Sequence, residues 1–212
     1  MNPRLRKDPL SAEKLIIFCK APRPGTVKTR LAASVGVERA TQIYLQIASA
    51  VFDSAAGLDD VQLCYAPSDA RAEVASWKRR PSWRLEPQCE GDLGARMSHA
   101  FDQAFKAGAQ RVLLVGTDTP EIRASDFLEA FMALRQSDVV LGPAEDGGYW
   151  MIGLSEPHHE LFEGVEWSTS SVLSSTLQAA SARRLTTHCL RWLADVDTEA
   201  DWNAFVQRRA GT

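Results

Sequence analysis

The sequence lacks several features that would assign it to a common class of protein. No apolar stretch approaches the roughly 20 residues that a membrane-spanning helix needs, which argues against a membrane protein. The net charge is −3, so there is no excess of positive charge of the kind that binds nucleic acid polymers or anionic membranes. The first residues, MNPRLRKDPLSAEK, are basic but have no apolar centre, which argues against a secretory signal. We expect residues 1–13 to form a flexible leader.

Motifs for metal binding by cysteine or histidine are also missing. The four cysteines form no CxxC pair, and the four histidines form no HExxH motif. These absences argue against a zinc site or a thioredoxin-like redox site. A chain without a disulfide framework suits the reducing cytoplasm, where we expect this protein to act.

The chain does contain short apolar segments that alternate with amphipathic ones. LIIFC (15–19), VQLCYA (61–66), RVLLVG (111–116) and DVVLGP (138–143) are rich in leucine and β-branched residues, a composition typical of buried strands. Between them, apolar residues recur every three or four positions, as expected for helices. Strands that alternate with helices indicate an α/β fold with a mostly parallel sheet and helices on both faces.

The pattern changes in the last third of the chain. The sequence DGG at 146–148 stands between two apolar segments, and Asp-Gly is a strong hairpin signal, so we expect an antiparallel element in the sheet. The remaining patterns predict a helix at about 169–181, a strand within 184–190 and a C-terminal helix. Because no linker or repeat divides the chain, we expect residues 14–212 to form a single domain.

The loop after the first apolar segment carries the first candidate site. In open α/β sheets, ligands bind beyond the carboxyl ends of the strands. Pro24 and Gly25 predict a stiff, tight turn, and Lys28 and Arg30 follow it at the start of a predicted helix. This loop matches neither GxxxxGK[ST] nor GxGxxG, but its backbone N–H groups and cations could hold a phosphate. A solvated turn before a helix is the alternative.

Two acidic turns are candidates for a metal site. Asp118 lies between Thr117 and Thr119, directly after the strand-like segment VLLVG. A carboxylate in this position can bind Mg²⁺ or Mn²⁺, which prefer oxygen ligands, although turn-capping aspartates are common. Asp197 precedes the C-terminal helix, and it could complete the metal site if the fold brings it close to Asp118.

The motif QCEGDLGARM (88–97) has two interpretations. Asp92 is a good N-cap for the helix that follows. Alternatively, the flexible backbone around its two glycines lies against a base or a ribose.

The motif GPAEDGGYWMIGL (142–154) also has a purely structural interpretation as a hairpin. A hairpin explains the glycines, but it does not explain Glu145 and Asp146 beside Tyr149 and Trp150. Acidic and aromatic side chains suit a hydroxylated acceptor, and either acid could act as a general base.

Taken together, these motifs resemble a known group of enzymes. In order and spacing, KxPxPGxxKTRL, GDLGxRM, GTDxP, GPxxDGGYxxIGL and DVDTxxD are similar to the GT-A-fold transferases found beside radical-SAM and selenium-related proteins. Many of these are named glycosyltransferases, and some are linked by context to arsenosugar synthesis. Their weaker relatives include 2-phospho-L-lactate guanylyltransferase and the molybdenum-cofactor guanylyltransferases. The resemblance extends from Leu15 to about Trp202.

The resemblance implies a GT-A fold, a three-layer sandwich around a mostly parallel mixed sheet, with a nucleotide half and an acceptor half. Where many GT-A glycosyltransferases carry an Asp-x-Asp pair, the turn here supplies one carboxylate. The complete set of candidate residues is Lys20, Pro24, Gly25, Lys28, Arg30, Asp92, Gly94 and Thr117 for the nucleotide, Asp118 and Asp197 for the metal, Gly147, Gly148 and Tyr149 for the acceptor pocket, and Glu145 and Asp146 for catalysis.

We therefore expect a cytoplasmic transferase that depends on Mg²⁺ or Mn²⁺ and uses a nucleotide-activated donor. The leading hypothesis is glycosyl transfer from a nucleotide sugar to a small hydroxylated acceptor. One alternative is a nucleotidyltransferase that uses a nucleoside triphosphate and releases pyrophosphate. Another is a non-catalytic nucleotide-binding module, against which the acids on the acceptor side argue.

Overall fold

The protein is built around one seven-stranded sheet. A computed structural model describes residues 12–210, so residues 1–11 of the predicted leader lie outside the described part of the chain. The strand order is β3-β2-β1-β4-β6-β5-β7. The strands are β1 (Glu13–Lys20), β2 (Val61–Ala66), β3 (Arg84–Pro87), β4 (Arg111–Val115), β5 (Val139–Pro143), β6 (Tyr149–Leu154) and β7 (Thr187–Cys189).

Helices follow most of these strands. The helices are α1 (Thr29–Val35), α2 (Val37–Ser54), α3 (Arg71–Val74), α4 (Leu93–Lys106), α5 (Ala124–Ala133), α6 (Val172–Ala182) and α7 (Glu199–Ala210), with single 3₁₀ turns at Ala75–Trp77 and His159–Leu161. Between residues 12 and 210, no helix is long and apolar enough to cross a membrane.

The strand directions confirm the predicted mixed, mostly parallel sheet. β6 pairs antiparallel with both β4 and β5, and all other neighbours are parallel. The predicted hairpin is β5–β6, which closes where Pro143 pairs with Tyr149. Because β6 runs against the others, its first residues lie at the same edge as the carboxyl ends of β1, β4 and β5.

Some elements differ from the sequence prediction. β1 begins at Glu13, which the prediction assigned to the leader, and the pairing of Glu13 with Arg111 holds it in the sheet. β3 was not predicted, because only Leu85 of its sequence RLEP is buried. β7 is a short edge strand of three residues.

Alternate residues of the strands face opposite layers of helices. In β1, Leu15 and Ile17 pack in one cluster, which includes Phe52 of α2 and Phe127 of α5. Ile16 and Phe18 pack in the other cluster, whose members from α4 and α6 include Phe101 and Leu173. This period of two is the pattern expected for a sheet that is covered on both faces, and it gives the three layers of the predicted sandwich.

A buried ion pair joins β1 to the loop before β2. Lys14 Nζ lies 2.6 Å from Asp60 Oδ1, and both side chains are buried. Arg84 at the edge of the sheet provides a second, longer contact of 3.3 Å to the same oxygen. The pair therefore connects three neighbouring strands at the amino end of the sheet, away from the strand ends that carry the candidate site.

We predict that Lys14→Met lowers the free energy of unfolding by about 3 kcal/mol, because removal of one partner leaves a buried carboxylate without its main counter-charge. Urea denaturation followed by circular dichroism measures the change. The matched control is Lys106→Met, since Lys106 is exposed and lies 3.7 Å from Asp102 on the same helix. An exposed pair of this kind contributes about 0.5 kcal/mol or less. Equal losses in the two variants would contradict the prediction.

Candidate active site

A cleft of about 760 Å³ opens at the carboxyl ends of β1 and β4. Its volume is typical of small-molecule sites. The loops after β1, β4 and β5 line it, together with the segment between β6 and α6. Ten predicted residues are among its lining: Lys20, Lys28, Arg30, Asp92, Thr117, Asp118, Asp146, Gly148, Tyr149 and Asp197. Five predicted residues are not: Pro24, Gly25, Gly94, Glu145 and Gly147.

Tyr44 of α2 fixes the ends of two strands beneath the cleft. Its hydroxyl donates to the carbonyl of Lys20 and accepts from the Lys20 N–H, both at 2.9 Å. The Thr117 hydroxyl donates to the Tyr44 hydroxyl oxygen at 3.3 Å. Burial raises the pKa of Tyr44, so the group stays a neutral phenol. No role was predicted for Tyr44, since helical periodicity gives no sign of a hydroxyl contact.

Lys28 occupies the centre of the charged part of the cleft. Its backbone is left-handed, with φ 47°, at the start of α1, and the turn before it uses Gly25 at φ 81°. Only 3% of the Lys28 side chain is exposed, and Nζ contacts Oδ1 of Asp118 and of Asp197, the latter at 2.9 Å. Burial alone would lower the pKa of Lys28, but the two carboxylates outweigh it and raise the pKa above its ordinary value.

Asp118 and Asp197 come together from distant parts of the chain. Asp118 follows β4, Asp197 precedes α7, and the N–H of Val196 donates to the carbonyl of Asp118 at 3.0 Å. Asp201 accepts from the N–H groups of Asp197 and Thr198, and the Thr198 hydroxyl accepts from the Asp201 N–H at 3.3 Å, so that Thr198 and Asp201 form a capping box. The two candidate metal carboxylates are half-exposed, at 52% and 45%, towards the cleft.

The donor set fits a divalent cation that is shared with a nucleotide. Within residues 12–210, no group of three or more His, Cys, Asp or Glu side chains is arranged to hold a metal ion alone. Mg²⁺ in nucleotide sites commonly binds one or two carboxylates together with substrate phosphates and water. The pair of Asp118 and Asp197 matches this chemistry.

A third acid, Asp195, lies in the same wall of the cleft. Its carboxylate accepts a short hydrogen bond from Thr119. The pKa of Asp195 is raised to about 6, mainly by burial and also by the negative charges of Asp118, Asp146 and Asp197, in spite of the hydrogen bond from Thr119. The sequence showed Asp195 in the motif DVDT, but the spacing alone did not indicate that it enters the cleft.

Three cations in the cleft have no acidic partner among residues 12–210: Lys20, Arg30 and Arg96. Arg96 is held by its own loop, since its Nε donates to the carbonyl of Gly91 at 2.9 Å. Arg23, by contrast, pairs with Asp69 and Glu73, which follow β2, and does not line the cleft. Arg96 lies within the motif GDLGARM, but the spacing of that motif predicted no role for it.

The motif GDLG caps and packs α4. Asp92 is the N-cap, and its Oδ1 accepts from the N–H of Ala95 at 2.8 Å. A Cβ atom at Gly94 would lie 2.7 Å from the carbonyl oxygen of Phe162 and 2.8 Å from Nε1 of Trp167. The described contacts of Gly94 are therefore with the chain between β6 and α6. A contact of Asp92 with the nucleoside stays a prediction.

The motif EDGGYW divides between the cleft and the core. Asp146 Oδ1 accepts from the N–H of Gly148 at 2.9 Å, and both residues line the cleft. Gly147 has φ +91°, and a Cβ there would lie 2.2 Å from the carbonyl oxygen of Ser170, so the glycine allows a close backbone approach. Glu145 is exposed outside the cleft. The Tyr149 hydroxyl is buried, so this residue presents only its ring to the cleft.

We predict that Gly94→Ala lowers the free energy of unfolding by about 2 kcal/mol, because the new methyl group overlaps a backbone oxygen and an indole ring. The matched control is Gly57→Ala, where a Cβ meets nothing within 4 Å. Chemical denaturation measures both variants. A Gly94→Ala protein that kept its full stability would show that packing does not explain this glycine.

Two proteins share about a third of their aligned residues with this chain. A protein of Desulfovibrio desulfuricans G20, provisionally named a nucleotide-diphospho-sugar transferase, has a solved structure with 33% sequence identity and a TM-score of 0.87, and the match covers 92% of this chain and 86% of that one. A phosphoenolpyruvate guanylyltransferase of Chloroflexus aggregans is 31% identical over 114 residues, which are 52% of this chain and 55% of the relative.

A more distant structure shares the fold alone. Rv0371c of Mycobacterium tuberculosis H37Rv, solved in complex with manganese, is 14% identical with a TM-score of 0.52, and the match covers 91% of this chain and 97% of that one. The comparisons therefore agree with the fold of nucleotide-diphospho-sugar transferases and include a nucleotidyltransferase as a relative.

The family assignment comes from the middle of the chain. Residues 52–169, which include β4, the β5–β6 hairpin and the motif GDLGARM, match the profile of a family described as "Uncharacterized protein conserved in bacteria (DUF2064)". With more than half of its length matched, this chain belongs to the DUF2064 family.

Proposed function

We propose that this protein is a metal-dependent transferase that moves a glycosyl group from a nucleotide sugar to a small hydroxylated acceptor in the cytoplasm. The observation that carries the proposal is the separation of charge within one cleft. Lys20, Arg30 and Arg96 line the side near β1 and α4, and carboxylates line the side near β4 and β5. We also propose that residues 14–212 act as one domain, and that the family includes the transferases found beside radical-SAM and selenium-related proteins.

The basic side suits the phosphates of the donor. Lys20 and Arg30 have no acidic partner among residues 12–210, so a diphosphate could bind them without breaking an existing ion pair. Arginine offers a planar, two-pronged donor to phosphate oxygens, and lysine offers a mobile point charge. Thr117 and the turn after β1 are held in place by Tyr44, which favours a preformed phosphate site.

Asp118 and Asp197 would hold the Mg²⁺ or Mn²⁺. A divalent cation in this position would supply positive charge to the diphosphate as it leaves. The other functions at this site are carried out by side chains of the protein. Lys28, between the same carboxylates, keeps them close together in spite of their mutual repulsion.

The acidic side suits a neutral, hydroxylated acceptor. Asp146 uses Oδ1 to hold the Gly148 N–H and has no other hydrogen-bond partner among the described residues, so its second oxygen is available to a hydroxyl group. Trp150 and Trp167 provide apolar surface in the same part of the cleft. Asp146 is the candidate general base, since it faces the cleft and Glu145 does not. An anionic acceptor would meet repulsion from these carboxylates.

Nucleotidyl transfer is the second candidate. The similarity to phosphoenolpyruvate guanylyltransferase favours it, and three unpaired cations suit a triphosphate as well as a diphosphate. A binding module without catalysis fits less well, because it has no need for Asp146 beside the acceptor space.

We predict that Arg30→Ala weakens binding of a nucleoside diphosphate far more than binding of the matching nucleoside. A charge-assisted hydrogen bond contributes about 1.5–3 kcal/mol, which corresponds to roughly a 10- to 100-fold rise in Kd. Calorimetry on the best binder from a panel of nucleoside diphosphates provides the measurement. The control is Arg23→Ala, which removes a paired cation outside the cleft and should change neither affinity. Equal losses of affinity for the nucleoside and for the nucleoside diphosphate would show that Arg30 does not bind the phosphates.

The product identifies the reaction. With Mn²⁺, a panel of nucleotide sugars and a cell extract as the source of acceptor, we expect nucleoside diphosphate to accumulate without pyrophosphate. Asp118→Asn should abolish this turnover and the Mn²⁺-dependent binding of the donor, because an amide keeps the shape but removes the charge that a hard cation requires. Pyrophosphate formed from a nucleoside triphosphate, and lost in the same variant, would establish nucleotidyl transfer instead.

A further inference from the structure

Lys28 already occupies the position of a cation between Asp118 and Asp197. Its Nζ contacts Oδ1 of both carboxylates. Within residues 12–210, no other cationic side chain forms an ion pair with either of them. The ammonium group is buried, although both carboxylates are half-exposed to the cleft. The protein therefore supplies one internal positive charge at the point where its two candidate metal ligands meet.

The local charge explains why a cation is needed there in the absence of ligand. Asp146 and Asp195 line the same cleft and add negative charge beside the pair. Two carboxylates held this close repel each other unless a positive charge lies between them. Lys28 provides that charge. Its backbone is left-handed, and its side chain extends from the loop after β1 to the two carboxylates.

We propose that Lys28 and the divalent cation are alternative partners of the Asp118–Asp197 pair, so that the cation binds tightly only together with the nucleotide. The proposal rests on the metal and nucleotide sites of the proposed function. Lys28 is then a positioning residue with two states. Without ligand its ammonium group bridges the carboxylates, and with ligand it turns to the phosphates.

The exchange is consistent with the chemistry of the side chain. A lysine has a flexible stem and three freely orientable N–H donors, so a small rotation can move Nζ from carboxylate to phosphate oxygens. The incoming phosphates provide the negative partner that a buried ammonium group requires. Because coupling between two ligands is reciprocal, the nucleotide should raise the affinity for the cation by the same factor as the cation raises the affinity for the nucleotide.

The test measures Mn²⁺ binding, by calorimetry and by electron paramagnetic resonance, with and without a nucleoside diphosphate. In the unaltered protein we expect the nucleotide to tighten Mn²⁺ binding by about tenfold or more, within the usual range of such coupling. In Lys28→Met we expect tighter Mn²⁺ binding without nucleotide, again by about tenfold, and a smaller further gain when nucleotide is added, because only the phosphate ligands then contribute. Lys20→Met is the matched control, because it removes a cleft cation that contacts neither carboxylate, and its nucleotide-free Mn²⁺ affinity should stay close to that of the unaltered protein.

Two results would overturn the inference while leaving the proposed function intact. The first is Mn²⁺ binding in Lys28→Met that is no tighter than in the unaltered protein, while Asp118→Asn still loses it. The second is a nucleotide-induced gain in Mn²⁺ affinity that is as large in Lys28→Met as in the unaltered protein. Equal Mn²⁺ affinity in the unaltered protein with and without nucleotide, a measurement that needs no variant to fold, would overturn the inference and the Mn²⁺-dependent donor binding together. A protein that binds nucleotide but no Mn²⁺ under any condition would instead overturn both the inference and the proposed metal dependence.

Discussion

The bridge from Lys28 to Asp118 and Asp197 is the interaction on which the rest of the cleft depends. A buried ammonium group is costly to desolvate and needs negative partners at short range. Those partners come from residues 90 and 169 positions away along the chain, so the bridge forms only when β1 and β4 are neighbours and the segment before α7 returns to the sheet. The hydrogen bond from Val196 to Asp118 fixes that return. One buried charge thus ties the loop after the first strand to the last segment of the fold.

The reversed strand β6 determines which residues lie beside that bridge. In a fully parallel sheet, the edge at the cleft would consist only of strand carboxyl ends and the loops that follow them. Here β6 lies antiparallel between β4 and β5, and its first residues, Tyr149 and Trp150, reach the same edge. The turn that joins β5 to β6 brings Asp146 with them. Cations at one side of the cleft and acids with aromatic rings at the other are therefore a consequence of strand direction.

The sequence was informative wherever one physical requirement dominated a segment. Buried strands require apolar residues, and a capping box requires an acid three residues after threonine, so β1, β2, β4 and the start of α7 were predictable. The edge strand β3 was not, since RLEP has one buried side chain and is held by pairing with β2. That Asp118 and Asp197 lie close together could only be proposed conditionally. Tyr44 was missed because its partners, Lys20 and Thr117, lie in other segments. Arg96 was missed because the sequence does not show that α4 places it in the same cleft as Lys20 and Arg30.

Glycines show most clearly where pattern and structure diverge. A glycine in a motif is explained equally well by a ligand or by a neighbouring chain that needs the space, and only the fold decides between them. Gly94 and Gly147 belong to different motifs, yet both make room for one segment, through Phe162 and Trp167 in the first case and Ser170 in the second. Trp167, Ser168 and Thr169 of that segment line the cleft. The described contacts of these two glycines are thus with the segment that shapes this side of the cleft, whereas their contacts with nucleoside and acceptor stay predictions.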